Sequence, residues 1–405
     1  MTVKLRKLSL LALIAVAGAS LANADKPADP SPVLAAPMAP AGPAKLKTSP
    51  EYEQALAALG NRQLDQAEKL FKQAALKQPK SPMPLIGLAE VARLQKNDEE
   101  SLRLLRKAVD VAPKDPQSHL VLGTALYMKG RAAEAETELL KSSELGPQSL
   151  FPLMALADLY FNNMKKPDKS VEYYGKVIKL KPDYAPAYLG QGMAYMALRD
   201  FSHAAPALEK AHSLTPSSPL PLMAQSQLQL VQGNIKGAIS LLQDAAKLAP
   251  TMEEIPLRLG MYYQQDKQWS EAYNAYETAL RLNDRLVVAY NNLAWMAADR
   301  KERLDDAERW GAKAVAMYPN EASLKDTYAW VKRARGDNKA ALEMLESITS
   351  SGNPSAEYFY HLGVVREESG KKADAVAAYK RALQINPKFI QADDARQRME
   401  KLDKS

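Results

Sequence analysis

Residues 187–216 have the sequence AYLGQGMAYMALRDFSHAAPALEKAHSLTP, which predicts two short helices joined by a turn. Gly192 and Tyr195 recur at helical spacing in the first half, and Ala204 and Ala211 do so in the second half. Apolar residues at this spacing indicate amphipathic helices. The proline that closes the stretch ends the second helix, because proline disfavours helical geometry in the residue before it.

The same pattern recurs along most of the chain. Ten units end at equivalent positions, which are Pro79, Pro113, Pro147, Pro182, Pro216, Pro250, Asp284, Pro319, Asn353 and Pro387. The steps between these positions are 34 or 35 residues. A fixed period of this length is typical of a solenoid built from repeated supersecondary units.

Small residues fill one equivalent position in every unit and a second position in most units. Twelve residues before each unit end lie Ala67, Ser101, Ala135, Ser170, Ala204, Ala238, Ala272, Ala307, Ala341 and Ala375. Five residues before each unit end, seven of the ten residues are alanine. Small side chains let two helices approach closely, so both positions are predicted to lie where helices nearly touch.

These units resemble the tetratricopeptide (TPR) repeat. The resemblance rests on Gly192, Tyr195, Ala204, Leu208, Ala211 and Pro216 in the fifth unit and on Leu362, Gly363, Ala375, Tyr379, Ala382 and Pro387 in the tenth. It implies an all-α fold, a right-handed superhelical solenoid of about ten helix-turn-helix repeats over residues 51–387. Units four and eight carry one extra residue, which we expect in the turn between their two helices.

Residues 388–405 are predicted to close the stack. Ile390, Ala395, Met399 and Leu402 lie on one side of a helical pattern that is otherwise charged. An open-ended repeat array needs such a terminal helix, with one apolar and one polar face.

The N-terminus has the pattern of an export signal. Three basic residues precede an apolar run at residues 8–16, and Ala22-Asn23-Ala24 follows. A charged region, a short apolar core and small residues around a cleavage site predict a secretory signal peptide over residues 1–24. The core of about ten residues is half of the roughly 20 needed to span a bilayer. We therefore expect cleavage between Ala24 and Asp25 and a periplasmic or secreted mature protein.

Residues 25–50 contain seven prolines and are predicted to be an extended, semi-rigid linker. The linker and the final 18 residues of the chain are too short for a catalytic domain. We therefore expect a protein that is not an enzyme.

The composition excludes several kinds of site. The chain has no cysteine, and its four histidines lie in different units without metal-ligand spacing. Three of the seven net positive charges belong to the predicted signal, and the remainder forms no concentrated basic stripe, which argues against nucleic-acid binding. Phosphate-binding and nucleophile motifs are absent as well. No catalytic residue, metal or cofactor is predicted.

The resemblance implies a concave groove lined by the first helix of each unit. Its family positions in units two to six include the apolar residues Met83, Ile86, Tyr127, Met128, Phe151, Met154, Phe161, Met193, Met196 and Met223. Methionine suits a surface that repacks around varied apolar ligands. The same residues could instead pack on one another as core, and the sequence leaves both interpretations open.

In units eight to ten the same positions are polar, acidic or aromatic. They include Asn291, Trp295, Asp299, Asp326, Trp330, Arg333, Tyr360, Glu367 and Glu368. The Lys, Asn and Arg set with which some TPR proteins clamp a carboxylate is not present. Chaperone C-terminal tails are therefore poor candidate ligands.

These features favour an exported TPR scaffold that holds a peptide or protein partner in its groove. Residues 290–330 also resemble bacterial cell-envelope TPR proteins, including those of exopolysaccharide secretion and exosortase-linked (PEP-CTERM) systems. The alternative is a carbohydrate-binding scaffold for polymer export, with Tyr290, Trp295, Trp330 and Tyr360 as platforms on which sugar rings stack. An exopolysaccharide or its secretion machinery would then be the partner.

Overall fold

The computed structural model describes residues 49–352 and 354–403. These residues form 21 α-helices and contain no β-strand, so the predicted all-helical fold is confirmed. The predicted signal peptide and nearly all of the predicted linker fall in residues 1–48, outside the described residues.

The helices form ten successive pairs and one terminal helix, as the repeat pattern predicts. They are α1 (Pro50–Gly60), α2 (Leu64–Lys77), α3 (Met83–Leu94), α4 (Asp98–Val111), α5 (Pro116–Met128), α6 (Ala132–Leu145), α7 (Leu150–Asn162), α8 (Pro167–Leu180), α9 (Ala185–Ala197), α10 (Phe201–Leu214), α11 (Pro219–Val231), α12 (Ile235–Leu248), α13 (Glu254–Gln265), α14 (Trp269–Leu282), α15 (Val287–Arg300), α16 (Leu304–Met317), α17 (Ala322–Ala334), α18 (Asn338–Thr349), α19 (Ala356–Glu368), α20 (Lys372–Ile385) and α21 (Ala392–Asp403). In each repeat the odd-numbered helix comes first and is called the A helix, and the even-numbered helix is the B helix.

The described residues divide into two compact units, 49–228 and 229–403, and the boundary lies within α11. The core of the first unit contains Phe71 and Tyr160, both almost completely buried. The core of the second contains Tyr276 and Tyr379, which are equally buried. Each unit therefore has its own hydrophobic core along its stack of helix pairs.

A left-handed residue ends every A helix. Each of the ten turns between A and B helices contains a residue with φ between 53° and 86°. Four of these residues are glycine, including Gly130 and Gly233. The other six are lysine or arginine, including Arg62 and Arg199, which are solvent-exposed and adopt a φ that is uncommon for residues other than glycine. The local reversal of backbone hand stops one helix and starts the next.

The extra residue of the fourth repeat and that of the eighth repeat lie in different elements of the structure. In the fourth repeat the extra residue lengthens the turn, which has four residues (163–166) where the others have three. In the eighth repeat the turn keeps three residues, and the expectation of a longer turn is wrong. There the helix α15 has 14 residues, and it reaches Arg300 before Lys301 turns left-handed.

The small-residue positions lie where the prediction places them. All ten residues of the first set are buried, and Ala204 and Ala272 are completely so. Close packing also explains a glycine on the A helix. A Cβ built on Gly192 would lie 2.6 Å from Cδ2 of Leu208 on the B helix of the same repeat. Any side chain at Gly192 would push this pair of helices apart.

The terminal helix α21 packs on the tenth repeat, as predicted for a capping helix. Ala395 is completely buried, and Met399 and Leu402 lie partly buried against the core of the second unit. The inclusion of Ile390 in this apolar face is wrong, because Ile390 precedes the helix and is 55% exposed. Phe389 replaces it and packs against the ring of Tyr360, 5.9 Å between centroids.

Candidate functional site: the inner faces of the two units

The A helices form the inner side of each unit. In the first unit α1 packs on α3, α5 on α7, and α7 on α9. In the second unit α15 packs on α17, and α17 packs on α19. No two B helices of neighbouring described repeats make a comparable contact. Since neighbouring A helices lie closer than neighbouring B helices, each unit curves toward its A helices, and we call this surface its inner face.

The predicted apolar groove positions of the first unit differ widely in exposure. Ile86 and Met223 are each only 5% exposed and belong to the core. The exposed members are Met128 (47%) and Phe151 (39%). The remaining six are half-buried: Met83, Tyr127, Met154, Phe161, Met193 and Met196. The inner face of the first unit therefore contains both core residues and open apolar side chains.

A polar margin borders this apolar surface at Tyr127. The amide of Asn162, on the next A helix, donates to the Tyr127 hydroxyl at 3.1 Å. Burial raises the pKa of the Tyr127 phenol, so the hydroxyl keeps its proton at neutral pH. The contact links the A helices of two successive repeats.

One acidic residue of the first unit escaped the sequence analysis. Asp158 is the only charged residue of α7, and it accepts a hydrogen bond from the Tyr174 hydroxyl at 2.5 Å. The tyrosine ring fits only because position 190 is glycine, where a Cβ would lie 2.2 Å from the Tyr174 Cζ. Burial raises the pKa of the Asp158 carboxyl, although the bond from Tyr174 acts in the opposite direction. A lone acid within an apolar helix is the sequence signal that could have found it.

The second unit brings together several of the predicted polar and aromatic residues. Nδ1 of His361 lies 2.8 Å and 2.9 Å from the two carboxylate oxygens of Asp326. The rings of Trp330 and His361 are 4.4 Å apart between centroids, and the guanidinium of Arg333 lies 4.1 Å from the centroid of Trp330. The four residues are called the Asp326–His361 cluster.

A second set of contacts extends this cluster to the terminal helix. Nε of Arg333 donates to Glu368 at 2.8 Å, and the Tyr360 hydroxyl donates to Asp394 of α21 at 2.6 Å. Burial raises the pKa of Tyr360 to about 12. Burial also acts to raise the pKa of Asp394, but hydrogen bonds from Tyr360 and Arg398 outweigh it and leave that pKa lowered. The polar half of the predicted groove is thus largely paired within the protein.

The four aromatic residues that were predicted to stack on sugar rings differ in their exposure to solvent. Trp330 and Tyr360 are only 9% and 8% exposed, beneath their neighbours in the second unit. Trp295 and Tyr290 are half-buried. Asn291, on the same helix, has a buried Oδ1 without a hydrogen-bond partner among the described residues. The burial of Trp330 and Tyr360 favours packing within the unit over stacking of sugar rings.

One further histidine of the first unit is paired within the protein. His119 contacts Glu138 at 2.6 Å and the carbonyl of Pro113 at 3.0 Å, so it joins helices within one repeat. Residues 49–352 and 354–403 contain no group of three histidine, aspartate or glutamate side chains arranged to hold a metal ion. None of their helices has the length and apolar character that a membrane span requires.

Comparison with known proteins identifies the repeat. A family model described as tetratricopeptide repeat matches residues 52–116, 99–149, 154–219, 189–253, 257–322 and 329–388. These matches cover well over half of the chain.

Individual relatives are distant. The chain is 21% identical over 291 residues to the TPR repeat-containing protein YpiA of Bacillus subtilis, which covers 70% of this chain and 67% of that protein. It is 22% identical to anaphase-promoting complex subunit 3 of Schizosaccharomyces pombe over 66% of this chain, but spans only 40% of that subunit. A solved tetratricopeptide repeat protein of Parabacteroides merdae is 17% identical, with a TM-score of 0.49, and covers 64% of this chain and 100% of its own.

Proposed function

Because the chain belongs to the tetratricopeptide repeat family, whose fold is a scaffold suited to protein–protein interaction, we propose that it is a non-enzymatic adaptor. Its partner is a protein or peptide with apolar side chains, held on the inner face of the first unit. The observation that carries the proposal is the exposure of Met128 and Phe151 beside half-buried methionines on that face.

The physical reason is the free energy of leaving such side chains in water. Fully burying one large apolar side chain stabilises a complex by about 1.5–3 kcal/mol before the costs of association. Met128 lies at the end of α5 and Phe151 at the start of α7, so a bound segment that covers both crosses two neighbouring A helices. By contrast, Arg333 and Trp330 in the second unit already have partners within the protein. The first unit is therefore the better candidate for partner binding.

We further propose that the adaptor acts outside the cytoplasm, in a process of the bacterial cell envelope. The proposal rests on the N-terminal pattern that ends at Ala22-Asn23-Ala24 and on the resemblance of residues 290–330 to envelope TPR proteins. An exopolysaccharide system is one such process.

The test compares partners that co-purify with the protein from envelope extract, identified by mass spectrometry. Phe151→Glu and Met193→Glu each place a carboxylate on the inner face, and we expect both to lose at least 90% of a specific partner. Leu180→Glu is the matched control, because Leu180 is 38% exposed but lies on a B helix.

Circular dichroism and thermal melting verify that each variant is folded. Phe151 is exposed, so Phe151→Glu is expected to fold normally even if Met193→Glu does not. Folded Phe151→Glu protein that captures the same partners as the wild type would refute the assignment of the partner to this face.

A further inference from the structure

A second apolar surface lies on the B-helix side of the first unit, away from the inner face. An open groove of about 620 Å³ separates the B helices α2 and α4 of the first two repeats. Leu85 and Leu88 of α3 and Leu76 and Leu104 of the B helices are among its lining residues. Apolar side chains thus line both the interior and the edge of the groove.

Leu76 occupies a position that is polar or small in every other repeat. In seven of the other nine repeats, the third and second residues before the unit end are a polar residue and then an apolar one, as in Lys179-Leu180. The first repeat reverses the order to Leu76-Lys77. Lys77 instead contacts Glu51 in the first turn of α1. The reversal therefore places the leucine on the outside.

The exposure of Leu76 follows from this reversal. Leu76 is 82% exposed, whereas Leu180, Leu248 and Leu282 at the adjacent position of later repeats are 38–41% exposed. The same surface therefore carries a protruding leucine side chain and, beside it, an apolar groove that can accept such a side chain. Such a surface can pair with an identical one about a twofold axis, because each copy then offers what the other accepts.

The charges around the groove also favour twofold pairing of two copies. The N-terminal halves of α2 and α4 (residues 64–70 and 98–104) carry five acidic and two basic residues. Their C-terminal halves (residues 71–77 and 105–111) carry four basic residues and one acidic residue. The two helices are equivalent elements of successive repeats and run in the same direction, so the groove has an acidic end and a basic end. Antiparallel pairing of two copies brings opposite charges together at both ends.

We propose that the protein forms a twofold-symmetric dimer through the groove between α2 and α4, with Leu76 of each copy seated in the groove of the other. Lys107 of each copy then faces the acidic end of its partner's groove, where Glu100 lies in an ion pair with Arg103 of its own helix. This surface is separate from the inner face, so dimerisation goes beyond the proposed adaptor function and leaves the partner surface free. A dimer would present two such partner surfaces.

The area of the surface between α2 and α4 determines how tightly two copies are expected to associate. Two helices of 14 residues present a face about 21 Å long and roughly 20 Å wide, or on the order of 400 Å². Stable complexes bury about 800 Å² per partner, so this dimer is expected to be weak and reversible. Its dissociation constant should lie in the micromolar range.

Sedimentation velocity of the purified protein from about 1 to 500 µM measures this equilibrium. We expect concentration-dependent dimerisation of the wild type, a dissociation constant raised at least tenfold by Leu76→Lys, and a change of less than twofold for Leu180→Lys. Leu76 is exposed, so its replacement should not affect folding, which circular dichroism verifies. A wild type that remains monomeric, or a dimer that Leu76→Lys leaves intact, would overturn the proposal.

Charge reversal tests the antiparallel geometry. Lys107→Glu alone and Glu100→Lys alone each place like charges opposite one another at both ends of the dimer, and both should weaken it. An equimolar mixture of the two variants restores attraction at both ends and should form a heterodimer. Failure of the mixture to associate better than either variant would reject this pairing of the two grooves.

Discussion

His361 and Asp326 form a buried contact between the A helices of the tenth and ninth repeats. Nδ1 of His361 lies 2.8 Å and 2.9 Å from the two carboxylate oxygens of Asp326, and both residues are less than 10% exposed. The ring of Trp330 closes over the imidazole at 4.4 Å between centroids. The contact therefore holds two successive repeats together on the inner face of the second unit.

Removing the carboxylate should destabilise this unit. In Asp326→Ala the imidazole N–H of His361 loses its acceptor in a buried site, which costs about 1–3 kcal/mol. All four tryptophans lie between residues 269 and 330, so tryptophan fluorescence during urea unfolding reports on the second unit. Asp299→Ala, at an exposed position, is the matched control and should change the unfolding free energy by less than 0.5 kcal/mol, as is usual for exposed sites. Equal stability of the two variants would show that the buried contact contributes little.

A single methyl group should distinguish close from open helix packing. Gly192→Ala places a Cβ 2.6 Å from Cδ2 of Leu208, and overpacking of this kind costs roughly 1–3 kcal/mol. Gly60→Ala meets nothing within 4 Å and should be neutral or stabilise by about 0.4–1 kcal/mol. Thermal melting followed by circular dichroism compares the two variants. The same melting temperature for both variants would mean that the two helices of the fifth repeat can move apart without loss of stability.

The stability contributed by Asp158 should depend on pH. Burial raises its folded-state pKa, so the folded protein binds this proton more tightly than the unfolded chain does. Stability from this group is therefore present at low pH and is lost as pH rises through the raised pKa. Asp158→Asn keeps an acceptor for the Tyr174 hydroxyl and removes the ionisation. Its melting temperature relative to the wild type should rise between pH 4 and pH 7.

Asp183→Asn is the control for this titration, because Asp183 is an exposed carboxylate of the same unit. Its melting temperature relative to the wild type should stay constant over the same pH range. If the melting temperature of Asp158→Asn relative to the wild type falls with rising pH, the buried carboxylate is stabilised in its charged form.

The N-terminal pattern predicts processing at one bond. Ala22-Asn23-Ala24 provides the small residues that a signal peptidase requires, so the mature protein should begin at Asp25. Protein isolated from the envelope fraction of a bacterial host can be identified by N-terminal sequencing. Replacing Ala24 with a bulky residue should block the cut and retain the full-length chain. An envelope protein that still begins at Met1 would disprove the prediction.

The repeat could be predicted from the sequence because its signal is local and recurs. Ala204 and its equivalents mark each helix contact, and every one of them is buried. Exposure at groove positions could not be predicted in the same way. Ile86 and Phe151 are both apolar residues of A helices, yet one is core and the other is open. Their difference depends on how neighbouring repeats pack, which a single repeat does not encode.

The Asp326–His361 contact could not be predicted from either repeat alone, because its two residues belong to different repeats. Asp326 and His361 are 35 residues apart, as are Arg333 and Glu368, which is one residue more than the 34 residues that separate the ninth and tenth repeats. Residues at equivalent or directly adjacent positions of successive repeats become neighbours when the repeats stack. A search for complementary side chains 34 or 35 residues apart would have found both pairs.

The left-handed turns have a consequence for proteolysis. Six of the ten turns between A and B helices expose a lysine or arginine, and three pairs of these residues, such as Arg62 and Lys96, are 34 residues apart. Exposed loop tips are preferred sites of cleavage. Brief digestion with trypsin should therefore cut first at these turns and release fragments that differ in length by whole multiples of the repeat. The fragment ladder would then report the order in which the repeats open.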